Sequence, residues 1–226
     1  MRKIYSIALL GLFLIACNQT SREKQGPENE VEFNQELANE LNRMAEIDQI
    51  AAYIPQGKYK ELSKIEWNEF KDSVYTTHEK RLQKIFKEYG FIGFDLAGKE
   101  GSSNFWVMVQ HSDHNPKFQN EVLKKMKIEI DKMNADPTNY GLLVDRVKLN
   151  TGQAQVYGTQ IDYNNNLAQA YPKNLADSIN VNKRRKSIGL EPIETYLNKM
   201  SEMHFRMNKE LFLEKGITEP KLYKTQ

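Results

Sequence analysis

The chain has 226 residues, 39% of them hydrophobic and 27% charged, which suits one globular domain with a sizeable core. Lys and Arg number 32 against 30 Asp and Glu, and the first sixteen residues hold two of the bases and no acid, so the rest of the chain is balanced and a nucleic-acid partner is excluded. The only cysteine is Cys17, so no disulfide forms within the chain.

The start reads as an export signal. Arg2 and Lys3 form a basic head, and Ile4 to Ile15 is almost wholly apolar but too short to span a bilayer comfortably. Leu14-Ile15-Ala16-Cys17 resembles the lipobox of bacterial lipoproteins. That resemblance implies cleavage before Cys17 and acylation of its thiol, with palmitate or a similar chain as the lipid. The protein is then expected in the bacterial cell envelope, held to a membrane through Cys17. A lipidated Cys17 leaves no cysteine nucleophile and no thiolate metal site. The predicted division is a signal peptide over 1–16, a polar tether over 17–31, a helical domain over 32–215 and a polar tail over 216–226.

Within the domain, Phe33, Leu37, Leu41, Met44 and Ile47 recur at helical steps and predict a first helix over about 32–53, ended by Pro55-Gln56-Gly57. A second helix is predicted over about 64–88, with Trp67, Val74, Leu82 and Ile85 inward. His78 falls near its inner side, where a hydrogen-bonded structural histidine is expected. Phe91 to Lys99 reads as a glycine-containing loop, without phosphate-binding spacing. Ser102, Ser103 and Asn104 offer caps for a buried helix through Phe105 to Val109. Pro116 opens a helix striped with Phe118, Val122, Met126 and Ile130, and Tyr140 to Lys148 forms a short one. The lysines along the Pro116 helix read as a solvated face. Gln155 to Tyr171 predicts a β-hairpin turning at Asn164-Asn165-Asn166. Val181 to Ile188 is a basic helical segment, and Glu191-Pro192 starts the last long helix, with Ile193, Leu197, Met200, His204, Met207 and Leu211 inward. Gly216 and Pro220 end the order. The fold class is mainly α: a single helical domain with one small β-hairpin.

Several stretches, in order, resemble a bacterial family known only as a domain of unknown function. They are Gln110-His111-Ser112-Asp113 with Phe118-Gln119, Asp145-Arg146-Val147, Tyr157-Gly158-Thr159-Gln160, Arg184-Arg185 with Gly189-Leu190, and Tyr196-Leu197. The resemblance implies a mostly helical domain and brings no established catalytic residue. It also implies an acid just before the arginine pair, where this chain has Asn182.

The polar residues of these stretches suggest a site assembled from several elements. His111 is the candidate general acid/base, with Asp113 or Asp145 to fix its tautomer. Gln110, Asp145, Arg146, Tyr157, Gln160, Arg184 and Arg185 are the candidate ligand-binding residues, the arginines for an anionic group. Three readings compete: a binding or structural domain with a polar cleft around His111, a domain gripping an envelope peptide or small anion, and a hydrolase-like enzyme in which Arg184 or Arg185 holds the substrate. No cofactor is expected. A metal at His111, Asp113 and His114 is not expected either, since residues one and two apart on a helix face different ways and no HExxH is present.

Overall fold

The computed structural model describes residues 32–225. The expected signal peptide, the lipobox, Cys17 and the tether lie outside them. Helix α1 spans Gln35–Ala52 and is capped by Asn34, whose side chain accepts the Leu37 N–H at 2.9 Å. Leu37, Leu41 and Met44 face the core as expected, but Phe33 and Ile47 are exposed. The inward position next to Ile47 belongs to Asp48, which is 0% exposed. Helix α2 spans Lys64–Tyr89 and opens with a reciprocal capping box between Ser63 and Glu66. Its buried row runs Trp67, Val74, His78, Leu82 and Ile85, with Glu79 also buried.

Helix α3 spans Phe94–Gln110, so it begins inside the stretch expected to be a loop. It has no side-chain cap at its own start. Asn134 substitutes from a distant part of the chain: its carbonyl takes the Phe94 N–H at 3.0 Å and its side chain takes the Asp95 N–H at 2.9 Å. The helix bends at Gly98, whose φ of 71° is one that side-chain-bearing residues rarely adopt. Phe105 to Val109 is helical and Phe105, Trp106, Met108 and Val109 are buried, but Ser102, Ser103 and Asn104 lie inside the helix rather than capping it.

Helices α4 (Pro116–Asp131) and α5 (Pro137–Asn150) each begin on a proline behind a capping residue, Asn115 and Asp136. Strands β1 (Ile161–Asn164) and β2 (Gln169–Pro172) pair antiparallel, with Ile161 opposite Pro172 and Asn164 opposite Gln169. The hairpin is shorter than expected because the N–H groups of Val156, Tyr157 and Thr159 go to a side chain, Asp145, instead of a strand.

Helices α6 (Val181–Lys186), α7 (Ile193–Met207) and α8 (Lys209–Glu214) complete the fold. The expected single last helix is broken at Asn208, whose side chain returns to the His204 carbonyl at 2.9 Å. The break turns Met207 outward, 76% exposed, and Leu211 with it, while Phe212 is buried. The tail is pinned back: Tyr223 Oη donates to the Ala170 carbonyl at 2.9 Å, and Lys221 N–H donates to the Leu167 carbonyl at 2.9 Å.

Two apolar cores result. The larger lies among α1 to α5, and the smaller joins β2, α6 and α7 through Ala170, Val181, Ile193 and Leu197. Each fully buried Leu or Ile in the larger core, such as Leu41, Leu82 or Ile85, stabilises the fold by roughly 1.5–3 kcal/mol. Among the described residues no helix is long and apolar enough to cross a membrane.

Candidate functional site

His111 terminates α3, and its own N–H returns to the Met108 carbonyl at 3.1 Å. Its Nδ1 lies 2.7 Å from Asp48 Oδ2, across from α1. Its ring sits 5.2 Å, centroid to centroid, from that of Tyr75 on α2. The other carboxylate oxygen, Asp48 Oδ1, lies 3.9 Å from His78 Nδ1, too far for a hydrogen bond. Burial pushes the Asp48 carboxyl up, but the hydrogen bond with His111, helped by the nearby His78 imidazole, more than reverses this and leaves its pKa below the ordinary value. The carboxylate that holds His111 is therefore Asp48, rather than the expected Asp113 or Asp145. Because Asp48 occupies Nδ1, the Nε2 end of a ring whose side chain is 17% exposed is left for other partners.

The loop that presents His111 is fixed at each residue that can be fixed. Gln119, fully buried on α4, donates from Nε2 to the carbonyls of Val109 at 3.1 Å and Gln110 at 3.2 Å. Asp113 turns away from His111 and takes a two-pronged contact from Arg146 at 2.7 and 2.6 Å, plus Asn150 at 2.8 Å. Burial works to raise the Asp113 pKa, and these contacts, Arg146 first, bring it below the usual range. Glu79 of α2 takes Nδ2 of Asn115 at 2.8 Å and Nε2 of Gln83 at 2.7 Å on one oxygen. Its second oxygen lies 2.5 Å from His114 Nε2, in ion-pair contact but without hydrogen-bond alignment. The loop thus carries two histidines, each against a buried carboxylate from α1 or α2.

The remaining candidates form a separate group that braces the chain between α5 and α7. Asp145 is fully buried and accepts from the N–H groups of Val156, Tyr157 and Thr159 and from the Thr159 hydroxyl, at 2.7 to 3.2 Å. Arg184 donates to the carbonyls of Val156, Ala176 and Asp177 at 2.7 to 2.8 Å and to the Asp177 carboxylate at 3.0 Å. Arg185 donates to the carbonyls of Glu191 at 2.7 Å and Tyr157 at 2.8 Å and stacks 5.1 Å from the Tyr196 ring centroid. Burial lowers its pKa. The backbone of Gln160 is clamped in both directions by the buried Gln155 side chain, each bond 2.8 Å. Burial raises the pKa of the Tyr157 phenol. Arg184 and Arg185 thus spend their donors on carbonyls of their own chain. Asn182, where an acid was expected, accepts the Ile193 N–H at 2.7 Å and donates to Glu194 at 2.8 Å, which anchors the start of α7.

His111, Asp113 and His114 turn to different partners: His111 faces Asp48, His114 faces Glu79 and Asp113 faces Arg146. Among the described residues no group of three His, Cys, Asp or Glu could hold a metal ion. Sequence reasoning missed Asp48 and Glu79 and gave His78 only a structural part. Asp48 lies four residues after Met44 and seven after Leu41, so a charge interrupting an apolar row was the available signal.

Fold and site together define a mainly α domain whose α3–α4 loop is held against two buried acids. The chain belongs to a family of unknown function, DUF6624, matched over residues 35–207, a span that takes in both polar groups. No match is found among curated proteins or among solved structures.

Proposed function

We propose that the protein is a lipoprotein of the bacterial cell envelope, anchored through a lipid on Cys17, whose helical domain recognises an envelope ligand at the polar centre around His111. The observation that carries the reading of the domain is the 2.7 Å contact between His111 Nδ1 and the buried Asp48. A carboxylate without solvent is costly to keep unless its partner is useful or strongly fixed. Here the partner stays partly exposed, on a loop braced from α1, α2, α4 and α5. That is how a rigid scaffold supports a recognition group.

A second reading, a hydrolase-like enzyme, draws on the same contact. An acid that binds Nδ1 fixes the imidazole tautomer and directs Nε2 toward a proton to be moved. His111 would serve as the general acid/base. Arg146 of α5 is paired with Asp113 of the same loop, which makes it the candidate arginine tied to this centre, whereas Arg184 and Arg185 bind backbone carbonyls elsewhere.

One comparison tests both halves. The full chain and its Cys17→Ser variant are expressed in bacteria fed labelled palmitate, then fractionated. Label and membrane association are expected in the former and lost in the latter; an unlabelled, freely soluble full chain would overturn the anchor. The purified domain is then melted with and without envelope extract. A rise in Tm that disappears in His111→Ala is expected, and an equal rise in both would remove His111 from the site.

A further inference from the structure

Beside the His114–Glu79 pair a cleft of about 510 Å³ opens between α2 and α4. Gln83, Phe86 and Lys87 line it from α2, and Asn115, Lys117 and Phe118 from the start of α4, with Glu121 at the margin. Glu79 stands behind it, 7% exposed, and fixes two of the lining side chains: Gln83 Nε2 and Asn115 Nδ2 both donate to its Oε1. A primary amide carries two N–H groups, so each of these retains one. Neither retained N–H has an acceptor among the described residues, and neither lysine has an acidic partner there. Phe86 and Phe118 meet edge to face, 5.8 Å apart, and give the cleft an apolar wall.

We propose that this cleft binds the carboxylate of a small organic ligand with an apolar body. Gln83 and Asn115 donate to the carboxylate, Lys87 and Lys117 supply the charge, and Phe86 and Phe118 receive the apolar part. Two lysines face one acid, Glu121, in the lining, and the Glu79 carboxylate behind it is already met by Gln83 and Asn115. The amides are aimed by a buried group, so little side-chain freedom is lost on binding. The proposal stands apart from the reading of His111: it needs neither a lipid on Cys17 nor a reaction at His111.

The test uses benzoate on the isotope-labelled protein, with benzamide as the neutral probe of equal shape. Benzoate is expected to shift the Gln83 and Asn115 side-chain amide resonances in NMR spectra, saturably. Replacing both lysines, Lys87→Gln with Lys117→Gln, is expected to weaken benzoate about tenfold or more, because charge-assisted contacts are the strong ones. Both lysines are exposed, so the fold is retained, and an unchanged Tm checks it. Equal binding of benzamide, an unaltered affinity in the lysine variant, or tighter binding of phenyl phosphate would each overturn the proposal. So would the absence of any saturable shift.

Discussion

Asp48 and His111 lie 63 residues apart in sequence and 2.7 Å apart in space. One carboxylate oxygen thereby joins the C-terminal part of the first helix to the end of the third. The contact ties the packing of the large core to the orientation of the His111 imidazole. Removing the charge should reveal how much stability this arrangement supplies. Asp48→Asn keeps the shape and is expected to lower stability by about 1–3 kcal/mol near neutral pH.

The pH dependence of that loss has a definite sign. The folded Asp48 pKa lies below the ordinary 3.8. Its contribution is therefore complete above the unfolded value and is lost as the pH falls through the lower folded value. The difference between wild type and Asp48→Asn should close on acidification below about pH 4, as the carboxyl becomes protonated and amide-like. Urea midpoints across that range measure it, and a difference independent of pH would refute the charged role.

A different outcome is expected at Asp145, which serves the backbone rather than a histidine. Three N–H groups and one hydroxyl converge on this fully buried side chain. Asp145→Ala strands all of them and should cost about 3 kcal/mol or more. Amide exchange at Val156, Tyr157 and Thr159 should rise before that of the α1–α3 core. Uniform exchange would mean that the two cores open as one.

The helical order and much of the larger core were legible because apolar periodicity repeats within single elements, whereas the separate smaller core was not. Leu37, Leu41 and Met44 announce α1, and Phe118, Val122 and Met126 announce α4, without reference to anything else. What depends on distant partners was not legible. The start of α3 rests on Asn134, the truncation of the hairpin on Asp145, and the break before α8 on Asn208. The site divides in the same way. His111 was visible as a polar residue following an apolar run, but its acid sits in another helix, disguised as one charge in an otherwise regular stripe. Arg184 and Arg185 looked like anion grips because sequence does not reveal which carbonyls will come within reach.

Glycine substitutions separate backbone strain from crowding. Gly152 and Gly158 both have positive φ, 74° and 69°. A Cβ on Gly152 would meet nothing within 4 Å, whereas one on Gly158 would lie 2.7 Å from Ile193 Cδ1. Gly152→Ala is expected to cost about 1 kcal/mol, the left-handed backbone alone. Gly158→Ala should cost about 1 kcal/mol or more beyond that, since the buried Ile193 side chain must give way. Thermal melts of both variants decide it, and equal losses would place the whole effect in the backbone.

The adjacent arginines should respond unequally to the same change. Arg185 is 1% exposed, and its planar fork reaches two carbonyls while its face covers Tyr196. A lysine has no fork and no flat face, and its compact ammonium is more strongly hydrated. Arg185→Lys is thus expected to lose about 3 kcal/mol, with Glu191 and Tyr157 carbonyls left short of a donor. Arg184 also caps carbonyls, but its side chain is 24% exposed, so water can replace what lysine fails to supply. Arg184→Lys should lose only about 1 kcal/mol. Paired urea titrations measure the difference. If the losses are equal, the buried Arg185 is no more than a filler of volume, and the joint between α6 and α7 is held by the small apolar core instead.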